Sequence, residues 1–245
     1  MLIKNINMER KSSLDFLRAM AILLVLLVHT LDFSDNLNET IKYIFAYGWI
    51  GVDLFFVLSG FLIGMQVFEK QKLSIFQSIA NFLIKRWTRT LPLYFFALFV
   101  YVFAKPLLFK TPFNGEIFPF LFLVQNYFGP NDFVQSWSLC IEEQFYLIFP
   151  FVFYLFNFVR MPKIIWLFPA FYSLFYRYYL FNYGVDATSL KATAFNYQFL
   201  LHTHFDGISY GVFLAATFSV WEKFIYKKLI TAMGLIFLGG NSLLY

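Results

Sequence analysis

The sequence predicts an all-α membrane protein, a polytopic bundle of about seven transmembrane helices with one short re-entrant or interfacial segment. Of its 245 residues, 60% are hydrophobic and 13% are charged, whereas a soluble domain carries about 25% charged residues. The apolar runs are long and do not alternate with polar residues, which is typical of helices that cross lipid. Lysine and arginine cluster at the ends of these runs, so the net charge of +5 indicates membrane topology and no nucleic-acid partner.

The first predicted span, residues 14–31, contains two polar side chains that lipid disfavours. Arg18 lies near its start and His29 near its end, eleven residues or about 16 Å apart along a helix. That spacing puts both on nearly one helix face, and polar groups in membrane spans usually face the bundle interior. Snorkelling of Arg18 and a hydrogen-bonded core position for His29 are the alternative. The basic residues before this span predict a cytoplasmic N-terminus and an uncleaved first span.

The other apolar runs complete the predicted topology. Residues 117–128 are short for a crossing, and we expect them to be re-entrant or interfacial. If they do not cross, five downstream cations all lie in the cytoplasm: Arg160, Lys163, Lys223, Lys227 and Lys228. The last run reaches Tyr245 without a flanking charge, so we expect a single membrane domain, 1–245, shortened at its C-terminus. The further spans are predicted at 48–67, 91–109, 141–159, 164–182, 204–220 and 229–245.

Asp53 lies within the second predicted span. A buried carboxylate needs a partner, and Arg18 or an arginine of the third span is a candidate. An ion pair that fixes helix packing and a direct chemical role both suit this position. The same span carries small residues that let helices approach closely: Gly48, Gly51, Gly60 and Gly64.

Arg86 and Arg89 precede the third predicted span and are three residues apart. On a helix this spacing puts both guanidinium groups on one side. Two converging guanidinium groups suit a phosphate or pyrophosphate, although ordinary positive-inside charge is the alternative. The span itself is expected to begin at Leu91, with Pro92 tolerated in its first turn.

Ser138 and Glu142 lie where a later span begins. Ser138 can cap the helix that starts there, with Glu142 in its first turn. Helix capping accounts for Ser138 better than for Glu142 and Glu143. These two adjacent carboxylates come just before an apolar run that enters lipid, where charge is costly. They suggest a functional site, with Glu142 as a general acid or base.

The segment HTHFD contains His202, His204 and Asp206. A His-x-His pair with a nearby Asp can bind zinc. The only other histidine is His29, so the ligand set is incomplete and no metal site is predicted. His202 and Asp206 also match the His-x-x-x-Asp pattern of some soluble acyltransferases. Other enzyme classes lose support because the chain lacks Gly-rich phosphate loops and a Gly-x-Ser-x-Gly motif.

Four blocks together resemble the acyltransferase-3 family, the multi-span bacterial membrane O-acyltransferases, and occur in the family's order. They are LDFLRAMAILLVLLVH at 14–29, WIGVDLFFVLSGFLIG at 49–64, RWTRTLPLY at 86–94 and WSLCIEEQFYLIFP at 137–150. A weaker resemblance continues through 204–215, where His204 replaces the arginine of many relatives. The family's Arg-x10-His, Arg-x-x-Arg and Ser-x-x-x-Glu patterns fall on Arg18 and His29, Arg86 and Arg89, and Ser138 and Glu142.

The resemblance implies a membrane-bound enzyme that transfers an acyl group, often acetyl, from cytoplasmic acyl-CoA to a hydroxyl. The implied acceptor is an extracytoplasmic polysaccharide or glycolipid of the cell envelope, and the implied location is the bacterial cytoplasmic membrane. The expected acyl-CoA ligands are Arg18, Arg86 and Arg89. The expected catalytic residues are His29, Glu142 and Asp53, with His29 either a base or a covalent acyl carrier. Ser138 is expected to contact substrate or to cap its helix.

A transporter or flippase for a lipid-linked sugar is the main alternative, because intramembrane Arg, His and Asp also suit translocation. The cytoplasmic arginine pair and the Glu142 segment favour acyl transfer, since a transporter needs neither. A non-catalytic membrane scaffold is disfavoured, because polar groups inside spans are costly.

Overall fold

A computed structural model describes residues 12–31, 38–68, 75–128, 132–183 and 200–221. Within these ranges the regular structure is helical and contains no strand, which confirms the predicted all-α class. The helices are α1 (Ser12–Thr30), α2 (Glu39–Ala46), α3 (Ile50–Phe68), α4 (Ile75–Phe99), α5 (Lys105–Phe109), α6 (Ile117–Leu121), α7 (Trp137–Phe158), α8 (Phe168–Tyr183) and α9 (Phe205–Trp221).

Four helical stretches are long and apolar enough to cross a membrane: Ser13–Thr30, Glu39–Phe68, Phe76–Phe109 and Val134–Phe158. Each overlaps one of the first four predicted spans over nearly the whole length of that span. A fifth stretch, Phe205–Val220, is apolar but shorter and matches the predicted span 204–220.

One predicted span within the described residues is not reproduced as a single long apolar helix. The span at 164–182 corresponds to a 3-10 turn, Lys163–Leu167, followed by α8. With 16 residues, α8 is about 24 Å long, less than the hydrocarbon core of about 30 Å. The span predicted at 229–245 lies outside the described residues.

The predicted start of the third span at Leu91 is wrong, because α4 begins at Ile75 and Pro92 lies inside it. The cations of residues 85–89 lower the local hydropathy, yet the preceding turns bury a continuous apolar face at helical spacing. That face consists of Ile79, Phe82 and Leu83. The stretch continues through a π-helical turn at Val100–Ala104 into α5, and Lys110 ends it in a left-handed conformation with φ 55°.

Residues 117–128 contain only the five-residue α6 and a 3-10 turn at Gln125–Tyr127. Five residues give about 7.5 Å of helix, too little to cross a bilayer. Neighbouring helices satisfy the backbone carbonyls that this irregular segment exposes. The Tyr94 hydroxyl donates to the Phe120 carbonyl at 2.8 Å, and the Gln144 amide donates to the Leu123 carbonyl at 2.8 Å. Irregular backbone at membrane depth requires such internal partners.

The chain forms two compact units. The first contains α1 to α3, residues 166–168 and α9 from Gly207 onward. The second contains α4 to α7, α8 from Pro169 onward and residues 200–206.

In the first unit, small residues of α3 let both α1 and α9 approach at backbone distance. A Cβ added at Gly51 would lie 2.6 Å from the Ala21 carbonyl oxygen of α1. One added at Gly60 would lie 2.1 Å from the Ile208 carbonyl oxygen of α9. Neither position can hold a larger residue without moving a helix, so the predicted role of these glycines in close packing is confirmed.

Candidate active site

In the second unit, α4 and α7 pack side by side in opposite directions. Phe82 lies edge-on to the Tyr146 ring at 6.3 Å, while Thr90 donates a hydrogen bond of 2.7 Å to Glu143. Later residues of α4 therefore lie beside earlier residues of α7. This register brings the RWTRTLPLY block against the IEEQFY portion of the 137–150 block.

Tyr146 contacts a cation with its ring and a carboxylate with its hydroxyl. The Arg86 guanidinium carbon lies 5.2 Å from the ring centroid, within the range of a cation–π interaction. The hydroxyl donates a hydrogen bond of 2.7 Å to the Oε2 atom of Glu142, four residues earlier on α7. Tyr146 is 1% exposed, whereas Arg86 and Glu142 are half-buried. The predicted donor-binding and acid–base residues therefore meet through a side chain that the sequence analysis did not select.

Glu143 is held by different partners from its neighbour. It is 4% exposed, and its Oε1 atom accepts the Thr90 hydroxyl. Trp87 and Arg86 of α4 also interact with this carboxylate. The two adjacent acids thus divide between a deeply buried group, Glu143, and a more accessible group, Glu142, that is suited to acid–base chemistry.

Arg86 and Arg89 have unlike environments although they share one helix. Arg86 is half-buried above the Tyr146 ring, and Arg89 is exposed. Arg86 lies eleven residues, or about 16 Å, beyond the start of α4 at Ile75. The pair is therefore part of a continuous helix and does not form a loop before the span.

Ser138 does not cap its helix, so that part of its predicted role is wrong. A 3-10 turn at Val134–Ser136 leads directly into α7, which begins at Trp137 with Ser136 in the N-cap position. Ser138 is the second helical residue and Glu142 the sixth, so Glu142 also lies beyond the first turn. The half-buried Ser138 keeps its alternative role as a substrate contact as a prediction.

The first unit contains Arg18, His29 and Asp53. The ion-pair partner of Arg18 is Asp15, one turn earlier on α1, at 3.2 Å, where the sequence suggested Asp53. His29 and Asp53 are both half-buried, near the end of α1 and the start of α3.

α1 and α3 pack in opposite directions, so that successive turns of α3 meet earlier turns of α1. A Cβ at Gly48 would lie 3.0 Å from the Val28 backbone nitrogen, so the chain before α3 runs beside His29. Gly51 lies against Ala21 one turn further along α3, and Asp53, two residues later, lies near the level of Ala21. Ala21 is three residues from Arg18 and eight from His29, so Asp53 lies about one turn from Arg18 and two turns from His29 along the helix axes.

The second unit, which contains Glu142, also contains a second polar cluster. This cluster surrounds the HTHFD segment. Asp206, at the start of α9, forms a salt bridge with Arg177 of α8, and both are more than nine-tenths buried. His204 lies 5.0 Å from the Trp137 ring. The Asp206 carboxylate thus compensates a buried cation. The sequence analysis missed Arg177, although a lone arginine within the apolar α8 was an available signal.

His202 is held by α8 through its backbone and its ring. The Ser173 hydroxyl donates to the His202 carbonyl at 2.8 Å, and the Tyr176 ring lies edge-on at 4.5 Å. Burial lowers the pKa of this imidazole from its ordinary value, which favours the neutral ring. Within the described ranges, no three His, Cys, Asp or Glu residues gather as a metal-binding group.

Comparison with known proteins places these residues in context. A family model described as an acyltransferase domain matches residues 11–245. The peptidoglycan O-acetyltransferase OatA of Listeria monocytogenes serovar 1/2a (strain ATCC BAA-679 / EGD-e) is 33% identical over 171 residues, which cover 62% of this chain and 26% of the relative.

Two further relatives are similar to the same degree. YrhL of Bacillus subtilis (strain 168), provisionally named a peptidoglycan O-acetyltransferase, is 34% identical over 56% of this chain and 23% of its own length. SAS0844 of Staphylococcus aureus (strain MSSA476), provisionally named an O-acetyltransferase, is 33% identical over 59% of this chain and 25% of its own length. The matched region spans about a quarter of the length of these relatives. No solved structure matches the chain.

Proposed function

The chain belongs to the acyltransferase-3 family, and on that premise we propose that it transfers an acyl group, typically acetyl, from acyl-CoA to a hydroxyl of an envelope polysaccharide or glycolipid. The observation that carries the proposal is the contact chain from Arg86 through Tyr146 to Glu142. It joins a cation suited to an anionic donor with a carboxylate suited to proton transfer. The relatives named for peptidoglycan O-acetylation support a glycan acceptor.

Donor binding falls to the arginines. Arg86 and Arg89 lie three residues apart on α4, and guanidinium groups bind phosphates through two parallel hydrogen bonds. The exposure of Arg89 suits first contact with the phosphates of acyl-CoA, and the half-buried Arg86 suits their retention. Arg18 contributes a further cation from α1, where Asp15 orients its guanidinium.

Acyl transfer breaks the thioester C–S bond and forms an ester C–O bond. A base takes the proton of the acceptor hydroxyl as its oxygen attacks the thioester carbonyl, and the departing sulfur receives a proton to give the CoA thiol. Glu142 is a proton-transfer group, and Asp53 supplies a second carboxylate from α3. His29 serves either as the base for the acceptor or as a carrier that takes the acyl group first.

The membrane separates the two substrates in this proposal. The chain lies in the bacterial cytoplasmic membrane with its N-terminus in the cytoplasm, so acyl-CoA arrives from inside. The glycan acceptor lies outside, and the acyl group moves through the protein between them. Buried polar groups within long apolar helices are a recognised sign of such a path.

The test uses membranes that contain the full-length protein, radiolabelled acetyl-CoA and an envelope glycan acceptor. Transfer of label to the glycan is expected for the wild type, and Glu142→Gln is expected to reduce it about 100-fold or more. Glu39→Gln is the matched control, because Glu39 is exposed on α2 and pairs with Lys42 of the same helix. Absence of transfer by the wild type, together with uptake of lipid-linked sugar that Glu142→Gln retains, would favour the transporter instead.

A further inference from the structure

We propose that Tyr146 is a positioning residue that fixes the donor-binding Arg86 with its ring and the acid–base carboxylate of Glu142 with its hydroxyl. This inference rests on the proposed function, because it assigns a role within the same site. It adds a residue that lies outside the family patterns identified at Arg18, His29, Arg86, Arg89, Ser138 and Glu142.

The orientation of Tyr146 is strongly constrained. The side chain is 1% exposed, and Phe82 of α4 packs edge-on against its ring at 6.3 Å. Its neighbour Phe145 packs against the same ring at 6.5 Å. A ring held on two sides cannot turn without disturbing the packing of α4 on α7, so its hydroxyl keeps one direction.

The hydroxyl in turn restrains Glu142. The two residues are four apart on α7, the spacing at which helical side chains meet. A glutamate has several rotamers, and the 2.7 Å hydrogen bond selects the one that keeps the carboxylate beside Tyr146. Hydrogen bonds to an ionised carboxylate are stronger than those between neutral groups, which strengthens this restraint.

The ring restrains Arg86 in the same way. Stacking on an aromatic face holds the planar guanidinium without consuming its N–H donors, which stay available to a phosphate. A single side chain thus fixes the distance between the group that binds the donor and the group that moves the proton. Small errors in such distances reduce rates strongly.

The two contacts are separable by substitution. Tyr146→Phe keeps the ring and removes the hydroxyl, whereas Tyr146→Leu removes both. For Tyr146→Phe we expect kcat for acetyl transfer to fall about 10- to 150-fold, the value of one hydrogen bond to a charged group, with KM for acetyl-CoA within about twofold of wild type. For Tyr146→Leu we expect a loss of kcat and a rise in KM of about fivefold or more, because Arg86 loses its aromatic support.

The matched control is Tyr154→Phe, the same change two turns further along α7, where the tyrosine is half-buried. All variants are compared at equal amounts of full-length protein in membranes. Should Tyr146→Leu fail to accumulate, Tyr146→Phe combined with Glu142→Gln replaces it. The hydroxyl then has no ionised carboxylate to restrain, so the double variant is expected to be no slower than Glu142→Gln alone.

Two results would overturn this role while leaving the proposed function intact. One is a kcat for Tyr146→Phe equal to that of Tyr154→Phe in an active wild-type background. The other is a loss in the double variant equal to the product of the two single losses. An inactive wild type would instead contradict the proposed function itself, so the two failures are distinguishable.

Discussion

The hydroxyl of Thr90 donates a 2.7 Å hydrogen bond to the carboxylate of Glu143 and so joins α4 to α7 inside the bundle. Glu143 is 4% exposed, and a buried carboxylate is costly unless donors and cations compensate it. The interaction therefore stabilises the helix pair that also carries Arg86, Tyr146 and Glu142. Glu142, the neighbouring acid, is held by Tyr146 instead.

We predict that Thr90→Val destabilises the protein, because it keeps the shape of the side chain and removes the donor to Glu143. The loss of one partner of a buried charged group is worth about 1–3 kcal/mol. Thermal unfolding in detergent should show a lower Tm than wild type. Thr90→Ser keeps the hydroxyl, so its Tm should be close to that of the wild type.

Thr88→Val is the control for this change. The Thr88 hydroxyl is exposed, and among the described residues its hydrogen bonds go to carbonyls of its own helix, those of Ile84 and Lys85. Its removal should leave Tm nearly unchanged. Equal Tm values for the Thr88 and Thr90 variants would refute the stabilising role of the Thr90–Glu143 contact.

Arg86 and Arg89 should contribute directly to donor affinity. Each charge-assisted bond to a phosphate is worth about 1.5–3 kcal/mol, so Arg86→Ala or Arg89→Ala should weaken acyl-CoA binding by about 10- to 150-fold. Lysine at either position should rescue only partly, because it lacks the planar fork of donors. Binding of acetyl-CoA to the purified full-length protein provides the measurement.

Lys110→Ala is the matched control for charge, because Lys110 is an exposed cation at the end of α5. It should leave the affinity within about twofold of wild type, the size of effect expected from a screened surface charge. Unchanged acyl-CoA affinity in the Arg86→Ala, Arg89→Ala double variant would mean that the two arginines do not bind the donor and serve only to set the membrane topology.

His29 should be essential for acyl transfer whether it acts as a base or as an acyl carrier. His29→Ala should preserve membrane insertion and acyl-CoA binding while lowering glycan acylation by about 100-fold or more, the usual contribution of a positioned base. Thr30→Ala, at the exposed neighbouring position, is the control. If His29→Ala retains near-normal acylation, His202 and Asp206 become the next pair to test.

The sequence predicted those elements whose signal is local. The apolar runs of α1, α3 and α7 and the close-packing glycines of α3 required only hydropathy and residue size. The start of α4 was missed because the cations of residues 85–89 mask the apolar face that residues 79–83 bury. A hydropathy average includes all faces of a helix, whereas packing against a neighbour depends on a single face.

The site residues also divide into those that the sequence alone indicates and those that depend on tertiary packing. Arg86 and Glu142 stand out because charge is rare in such a chain, but an aromatic residue such as Tyr146 is indistinguishable from 37 phenylalanines and 15 other tyrosines. Its role depends on the register of α4 against α7, which is a tertiary property. Arg177 was available as a lone charge in an apolar sequence segment, but its partner Asp206 is 29 residues away along the chain.

The membrane topology is testable with single cysteines in a Cys140→Ala background. Glu39→Cys, in the exposed first turn of α2, should react with an impermeant thiol reagent applied to intact cells. Lys163→Cys, exposed at the start of its 3-10 turn, should be protected until the cells are permeabilised. Labelling of both from outside would mean that residues 117–128 cross the membrane.

The packing of α3 against α9 can be tested with a destabilising substitution on one helix and a compensating substitution on the other. A Cβ added at Gly64 would meet the Ala215 Cβ at 2.6 Å, and its next neighbours lie at 3.4 Å. Gly64→Ala should therefore cost about 1–3 kcal/mol through overpacking. Ala215→Gly in the same molecule removes the clashing methyl group and should restore most of the Tm measured in detergent.

Gly211 should behave differently because its obstacle is backbone. A Cβ there would lie 2.1 Å from the Val57 carbonyl oxygen and 2.5 Å from the Phe61 backbone nitrogen, and no side-chain substitution can remove either atom. Gly211→Ala should lower Tm at least as much as Gly64→Ala, and Ala215→Gly should fail to rescue it. Rescue of both glycine variants by Ala215→Gly, or of neither, would contradict this helix register, because only Gly64 is opposed by the Ala215 methyl group.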